Sequence, residues 1–167
     1  SLGVSYITNN YQSLGINAGT HIGRLSLNGN FTGQSDNLDG RQLFTTRGYV
    51  YSANAALPLD CGLNVTAGYN GYTQKQYDGA AVVPDSSRIH RTTHSVSFSP
   101  SYEITGNHTN NNISFSANYT MNEDLNPNAT GESDVQTLAI GAGYNISVIP
   151  IETNFALNYS HQQSVGY

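Results

Sequence analysis

Charge, cysteine and long hydrophobic runs are all scarce in this sequence. Only 10% of the 167 residues are charged, against about 25% in an ordinary soluble domain. The single cysteine, Cys61, leaves no disulfide partner and no cysteine-based metal site. Six basic residues against eleven acidic ones argue against nucleic acid as a partner. No apolar run approaches ~20 residues, so no segment predicts a transmembrane helix.

Small, uncharged polar residues take the place of charge. Asn, Ser and Thr are frequent beside 17 glycines, while 12 tyrosines and a regular apolar spacing argue against disorder. The length predicts one domain, over residues 1–167. No segment has the pattern of a signal peptide, so we expect a cytosolic chain, a processed chain or a piece of a longer protein.

Apolar and polar residues alternate along almost the whole chain. Segment 25–34, for example, puts Leu27 and Phe31 on one side and Asn28 and Asn30 on the other. The same alternation recurs in eight segments: 12–22, 25–34, 46–59, 63–74, 94–104, 112–122, 138–148 and 151–162. Soluble strands usually have ~5–6 residues, and a membrane-spanning strand needs ~9–11. The pattern therefore predicts eight strands of membrane-spanning length.

The connections between these segments alternate in length. Tight turns are predicted at 23–24, 60–62, 106–111 and 149–150, and longer, charged loops at 35–42, 77–89 and 123–133. Short turns at one end and long loops at the other are typical of outer-membrane barrels. The first predicted strand starts, and the eighth ends, at the long-loop end. Because such barrels normally keep both termini at the turn end, we expect part of a wider barrel with strands missing on both sides.

The charged residues lie in connections or near strand ends, where a bilayer tolerates them. A charge at the bilayer midplane costs ~2–4 kcal/mol, whereas the outer face of a soluble sheet accepts Lys and Glu anywhere. The apolar side chains should therefore face lipid, and the small polar ones should face a water-filled or plugged lumen. Predicted lumen-facing residues are Asn28, Asn30, Asn64, Asn70, Ser97, Ser99, Ser116, Asn118, Asn145 and Asn158.

Several tyrosines share the apolar side of their strands. They are predicted to form an interfacial aromatic girdle toward the long loops; they are Tyr49, Tyr51, Tyr69, Tyr119 and Tyr159. The ordinary preference of tyrosine for strands is the alternative explanation.

Five segments in the first part of the chain share a recognisable pattern. They are SLG at 1–3, NYQSLG at 10–15, RLSLNG at 24–29, DNLDGRQLFTTR at 36–47 and LNVTAGYNGY at 63–72. In these segments the chain resembles a large group of outer-membrane β-barrel proteins of Bacteroidota-type bacteria. The resemblance implies an outer-membrane location and a larger parent barrel. Large barrels of these bacteria serve in nutrient import and protein secretion, so it implies no single activity and no site residues.

The sequence thus predicts an all-β fold: an antiparallel transmembrane β-barrel of about eight long meander strands, or a portion of a larger one. We expect a passive pore or transport-associated barrel of a bacterial outer membrane, with lipid and further barrel strands as partners. One alternative is a structural, assembly or secretion-associated scaffold without conduction. Another is a soluble secreted β-sandwich or adhesin that binds glycans. No cofactor and no enzymatic activity are expected.

Patterns that suggest chemistry have simpler explanations. His90 and His94 would be ~13 Å apart on a strand and could not share a metal ion. Ser160 and His161 point to opposite faces, which argues against a phospholipase-like relay. The many N-x-S/T triplets follow from the alternation of Asn with Ser or Thr.

The charged loops offer the remaining candidates. Oxygen ligands in either of two loops could bind Ca²⁺, although solvated loops explain these residues as well; the two groups are Asp36, Asn37 and Asp39, or Glu123, Asp124, Glu132 and Asp134. Basic residues near the long-loop end could meet lipid phosphates or simply extend to the interface; these are Arg41, Arg47, Lys75, Arg88 and Arg91.

Overall fold

The computed structural model describes residues 2–6, 11–82, 84, 88–126 and 134–166. In this part the chain forms one antiparallel sheet of nine strands, each paired with its neighbours in sequence. The strands are β1 (Leu2–Tyr6), β2 (Tyr11–Ile22), β3 (Leu25–Asp36), β4 (Phe44–Pro58), β5 (Leu63–Asp78), β6 (His90–Thr105), β7 (Thr109–Asp124), β8 (Val135–Val148) and β9 (Thr153–Gly166).

The prediction of an all-β antiparallel meander is confirmed. All eight predicted segments appear, as β2 to β9, with 12 to 16 residues each. Among the described residues, the one helical turn is a 3-10 turn at Ile149–Ile151. None of the described residues belongs to a helix that is long and apolar enough to cross a bilayer.

One strand was missed, and it changes the direction in which the chain enters the sheet. β1 pairs Leu2 with Ile16 and Tyr6 with Gln12, so it runs toward the long-loop end. The first predicted strand, 12–22, is β2 and starts at the long-loop end as predicted, but β1 precedes it and starts at the turn end. With only five residues, β1 is too short for its alternation to stand out from the surrounding sequence.

The tight connections and the long ones lie at opposite ends of the sheet, as predicted. Turns 23–24, 59–62, 106–108 and 149–152 join strands at one end. In the second of these, Gly62 has φ +86°, accepts a hydrogen bond from the Glu103 N–H at 2.9 Å, and donates its own to the Leu59 carbonyl at 3.1 Å. An ion pair between Arg24 and Asp60 joins the first two turns. Neighbouring hairpins are thus tied together at the turn end.

The strands are staggered by about one residue for each step across the sheet. One continuous register line joins Leu27, Ala55, Ala67, Phe98, Ala117, Ile140 and His161. The line moves away from the turn end as it passes from β3 to β9. It meets β3 two residues after the first residue of that strand, β5 four residues after, and β7 and β9 eight residues after. With ~3.3 Å per residue and ~4.8 Å between strands, the strands tilt by about 35° if the turns share one plane.

The sheet is open, and it has no hydrophobic core in the part of the chain that is described. β9 pairs with β8 alone, and β1 with β2 alone, so the described strands do not close into a barrel. None of the described hydrophobic side chains is buried, and Asn37 and Thr92 are the buried polar residues. The fold thus depends on ladder hydrogen bonds and on contacts between neighbouring strands within one layer.

The tight turn at Gly62 gives a test of this geometry. A Cβ built on Gly62 would collide with the Glu103 carbonyl oxygen, whereas one built on Gly23 (φ +60°) meets nothing within 4 Å. We expect Gly62→Ala to lower the free energy of unfolding by about 2–3 kcal/mol and Gly23→Ala by about 1 kcal/mol. Urea titration followed by circular dichroism measures both. Equal losses for the two variants would contradict the contact between Gly62 and β6.

Candidate functional site

The sheet has two chemically different faces, and the register keeps them apart across every strand pair. Leu27 lies opposite Ala55, and Ala67 lies opposite Phe98, so apolar residues meet apolar residues. One position along, Asn28 lies opposite Asn54, and Gly68 opposite Ser97. We call the side that carries Leu27 and Phe98 the apolar face, and the side that carries Asn28 and Ser97 the polar face.

Large side chains of the apolar face are exposed. On strands that are paired on both sides, Val96 is 50% exposed, Leu138 47% and Phe31 42%, while the polar-face residues Ser13 and Ser97 are partly buried. A soluble protein buries such side chains because each contributes ~1.5–3 kcal/mol on leaving water. An exposed apolar patch of this extent marks a surface that another apolar medium or partner covers.

The apolar face forms a band of limited height. On β4 the band extends from Leu57 to Tyr49, and on β8 from Val148 to Leu138. With the tilt described above, these eight and ten residue steps correspond to about 22 and 27 Å. The apolar band of an outer-membrane barrel is ~25 Å tall, so the height matches the thickness of that hydrocarbon layer.

All five tyrosines predicted as a girdle lie on the apolar face. Their strands place them six to ten residues from the tight-turn end, in the upper half of the band or near its middle. Tyr49 stacks on Phe31, with ring centroids 6.1 Å apart. Whether these rings mark an interface stays a prediction, because strand preference places tyrosine at the same positions.

An aromatic cluster covers a glycine on the apolar face. Gly71 lies between Tyr51 and His94 in the register and is buried beneath the Tyr51 ring. The Tyr69 hydroxyl lies 2.7 Å from His94 Nδ1, and the Tyr51 and Tyr69 rings are 6.0 Å apart. An aromatic ring over a glycine restores the cross-strand contact that the missing side chain cannot make. The spacing of these residues in the sequence did not reveal this cluster.

The polar face carries all ten residues predicted to face a lumen. Across β6 and β7, Ser95 donates to Asn118 Oδ1 at 2.9 Å, and Thr120 donates to the Ser95 hydroxyl at 3.3 Å. Nearer the long loops, Thr93 donates to Asn122 Oδ1 at 2.7 Å. Hydroxyl and amide groups thus form cross-strand chains without a charge in the middle of the strands.

The acidic loop of the DNLD segment is held by its own hydrogen bonds. Asn37 is buried with φ +51°; its Oδ1 accepts from Gln42 N–H at 2.9 Å, and its Nδ2 donates to Thr45 Oγ1 at 3.0 Å. Asp36 accepts from Thr46 N–H at 2.5 Å. Asn37 therefore has a structural role that the sequence pattern did not indicate, since Asn tolerates a left-handed conformation.

Asp39, Asp124 and Asp134 also have hydrogen-bond or ion-pair partners. Asp134 accepts from Asp124 N–H at 2.8 Å, while Glu132 lies outside the described residues. Within the described part, no three His, Cys, Asp or Glu side chains come together as a metal site would need. His90 and His94 share a strand four positions apart, and Ser160 and His161 lie on opposite faces.

The five basic residues near the long loops fall into two groups. Arg88 pairs with Asp78 at 2.6 Å, Arg91 with Asp124 at 3.6 Å, and Arg41 with Asp39 at 3.6 Å. Arg47 and Lys75 instead lie over the ring of Tyr77, at 5.0 and 5.4 Å from its centroid. The predicted basic cluster is thus divided between neutralised cations and one exposed pair.

Comparisons of the chain with protein-family models, curated proteins and solved structures gave no significant match. The geometry of the two faces is therefore the basis for inferring a function.

A charge placed on either face tests which one meets lipid. Ala53 lies at the centre of the apolar band on β4, and its neighbour Asn54 points to the polar face. In phosphatidylcholine vesicles, Ala53→Lys should lower the free energy of unfolding by about 2–4 kcal/mol, and Asn54→Lys by less than about 1 kcal/mol. Denaturant titration of vesicle-bound protein measures both. A larger loss for Asn54→Lys would contradict this orientation.

Proposed function

We propose that the chain forms part of the wall of an outer-membrane β-barrel, with its apolar face in lipid and its polar face around a lumen. In this role it acts as a passive pore or as the barrel of a transport system. The single observation that carries the proposal is the apolar band, about 22–27 Å tall and exposed across the sheet. Its height and the strand tilt of about 35° both agree with outer-membrane barrels, whose strands tilt by ~35–45°.

The unpaired edges of β1 and β9 support a barrel of more than nine strands. In hydrocarbon, every backbone N–H and C=O needs a partner, so an open edge cannot face lipid. β1 and β9 both run toward the long-loop end. Joining them directly would make a parallel pair, whereas bacterial outer-membrane barrels have antiparallel strands in even number. Further strands, from the same protein or from a partner, therefore complete the proposed barrel.

The polar face indicates what such a lumen offers to a solute. Asn, Ser and Thr side chains supply neutral donors and acceptors, and the charged residues of this face lie near the strand ends, as Arg91 and Glu103 do. A wall of this kind admits water and polar neutral solutes, and the charges at its mouths adjust ion preference.

Labelling of adjacent positions tests the proposed orientation. Cys61 is the single cysteine and is exposed in a tight turn, so Cys61→Ser gives a thiol-free background. Leu138→Cys and Ala139→Cys then place a spin label on the apolar and polar faces of β8. In vesicles, the label at 138 should collide mainly with oxygen dissolved in lipid, and the label at 139 with a water-soluble nickel chelate.

The same comparison at Ile113 and Ser114 of β7 is the matched control on a second strand. Reversed accessibility at both strands would overturn the orientation. A protein that stays monomeric in buffer without detergent would instead support the soluble β-sandwich alternative.

Conductance distinguishes a pore from a scaffold. In a planar bilayer we expect the wild-type protein to pass a steady current. Asn118→Asp adds a carboxylate to the polar face and should shift the reversal potential toward cation selectivity. Val96→Ile on the apolar face is the control and should leave selectivity unchanged. Inserted protein that passes no current would support the non-conducting scaffold.

A further inference from the structure

Two cations occupy the apolar-face side of the sheet, just beyond the apolar band. Arg47 on β4 lies directly opposite Lys75 on β5. Arg47 is two residues beyond Tyr49, the last apolar residue of the band on β4, which places it about 5 Å further along the barrel axis. The pair therefore lies at the depth where lipid headgroups begin if the apolar band lies in hydrocarbon.

The two side chains share one aromatic ring. Arg47 and Lys75 lie 5.0 and 5.4 Å from the ring centroid of Tyr77, which is two residues from Lys75 on the same face. Both cations are exposed. Contact with the negative face of the ring holds each cation in place. It does not remove the positive charge that the pair presents outward.

No carboxylate neutralises this pair within the described residues. The ion pairs found there join aspartates to four arginines: Arg24, Arg41, Arg88 and Arg91. Arg47 and Lys75 instead contact the ring of Tyr77. Like charges directly opposite each other destabilise a strand pair. A bound anion would relieve this repulsion, and the guanidinium geometry of Arg47 suits the oxygens of a phosphate.

A histidine, His90, continues the row formed by Arg47 and Lys75 onto the next strand. His90 on β6 lies opposite Lys75, so Arg47, Lys75 and His90 follow one another across three strands. On this face Glu123 lies opposite Thr92, two strands away from Lys75. The apolar-face side thus carries the basic residues Arg47 and Lys75 on β4 and β5, and the acidic residue Glu123 follows on β7.

We propose that Arg47, Lys75 and Tyr77 form a binding site for the phosphate of an anionic lipid headgroup. Arg47 and Lys75 bind the phosphate oxygens, and Tyr77 keeps the two cations together at the edge of the apolar band. The inference rests on the proposed function, since it requires the apolar face to lie in lipid. The site would give the protein a preference for anionic lipids, which passive passage of solutes does not require.

Spin-labelled lipids test this site and the proposed function separately. The protein is reconstituted in phosphatidylcholine vesicles with a small amount of spin-labelled phosphatidylglycerol or spin-labelled phosphatidylcholine. Electron spin resonance then measures how much of each lipid is immobilised at the protein surface. We expect wild-type protein to prefer phosphatidylglycerol, and each of Arg47→Gln and Lys75→Gln to reduce the preference about five-fold. The double variant should abolish it.

Arg91→Gln is the matched control. Arg91 lies opposite Gln74 at nearly the same height, but on the polar face. Its substitution removes one positive charge, as the other two variants do, and should leave the lipid preference unchanged. Equal reduction by Arg91→Gln would show that net charge alone sets the preference, and would overturn the site. Circular dichroism of each variant confirms that the sheet is retained.

The remaining outcomes are distinct. Absence of any immobilised lipid would contradict the proposed function, because the protein would have no lipid contact. Immobilised lipid without preference would contradict the site alone. If millimolar inorganic phosphate removes the preference while sodium chloride of equal ionic strength does not, the site binds free phosphate, and the assignment to a lipid headgroup is wrong.

Discussion

The cross-strand register is the constraint on which the rest of this molecule depends. Side chains of a strand alternate between faces, so a slip by one residue would move every apolar group to the opposite side. Along most of the register apolar residues lie opposite apolar residues and small polar residues opposite small polar ones, as in Leu27 with Ala55 and Asn28 with Asn54, although Ile140 lies opposite His161. Since no hydrophobic core lies behind the described sheet, this alignment keeps the two faces chemically distinct.

Small residues allow the polar face to be chemically uniform. A Cβ added at Gly19 would lie 2.6 Å from Asn28 Oδ1, and one added at Gly68 would lie 2.7 Å from Ser97 Oγ. The absence of side chains at these glycines lets amide and hydroxyl groups of the next strand lie over the backbone. A larger residue would push those groups outward. The glycine content that lowers strand preference thus serves the packing of this face.

Alternation and connection length were sufficient to predict the strands, because both are local properties of the sequence. They placed eight of the nine described strands and the two kinds of connection, and they put the ten residues predicted to face a lumen on one face of the sheet. They did not reveal β1, whose five residues show too little periodicity. They also missed the structural role of Asn37 and the ring of Tyr77 beside Arg47 and Lys75. The contact of Arg47 with Tyr77 arises from the pairing of β4 with β5, which brings together residues distant in sequence, and the role of Asn37 arises from the loop conformation that places it beside Gln42 and Thr45.

Each described strand pairs with its neighbours in sequence, and this has a consequence for how such a sheet can change over evolution. A hairpin contributes one strand in each direction, and the residues of its two faces match those of any adjoining hairpin. Duplication or loss of one hairpin would therefore alter the width of the sheet while all other side chains keep their face. A sheet built in this way can change its number of strands without a new fold.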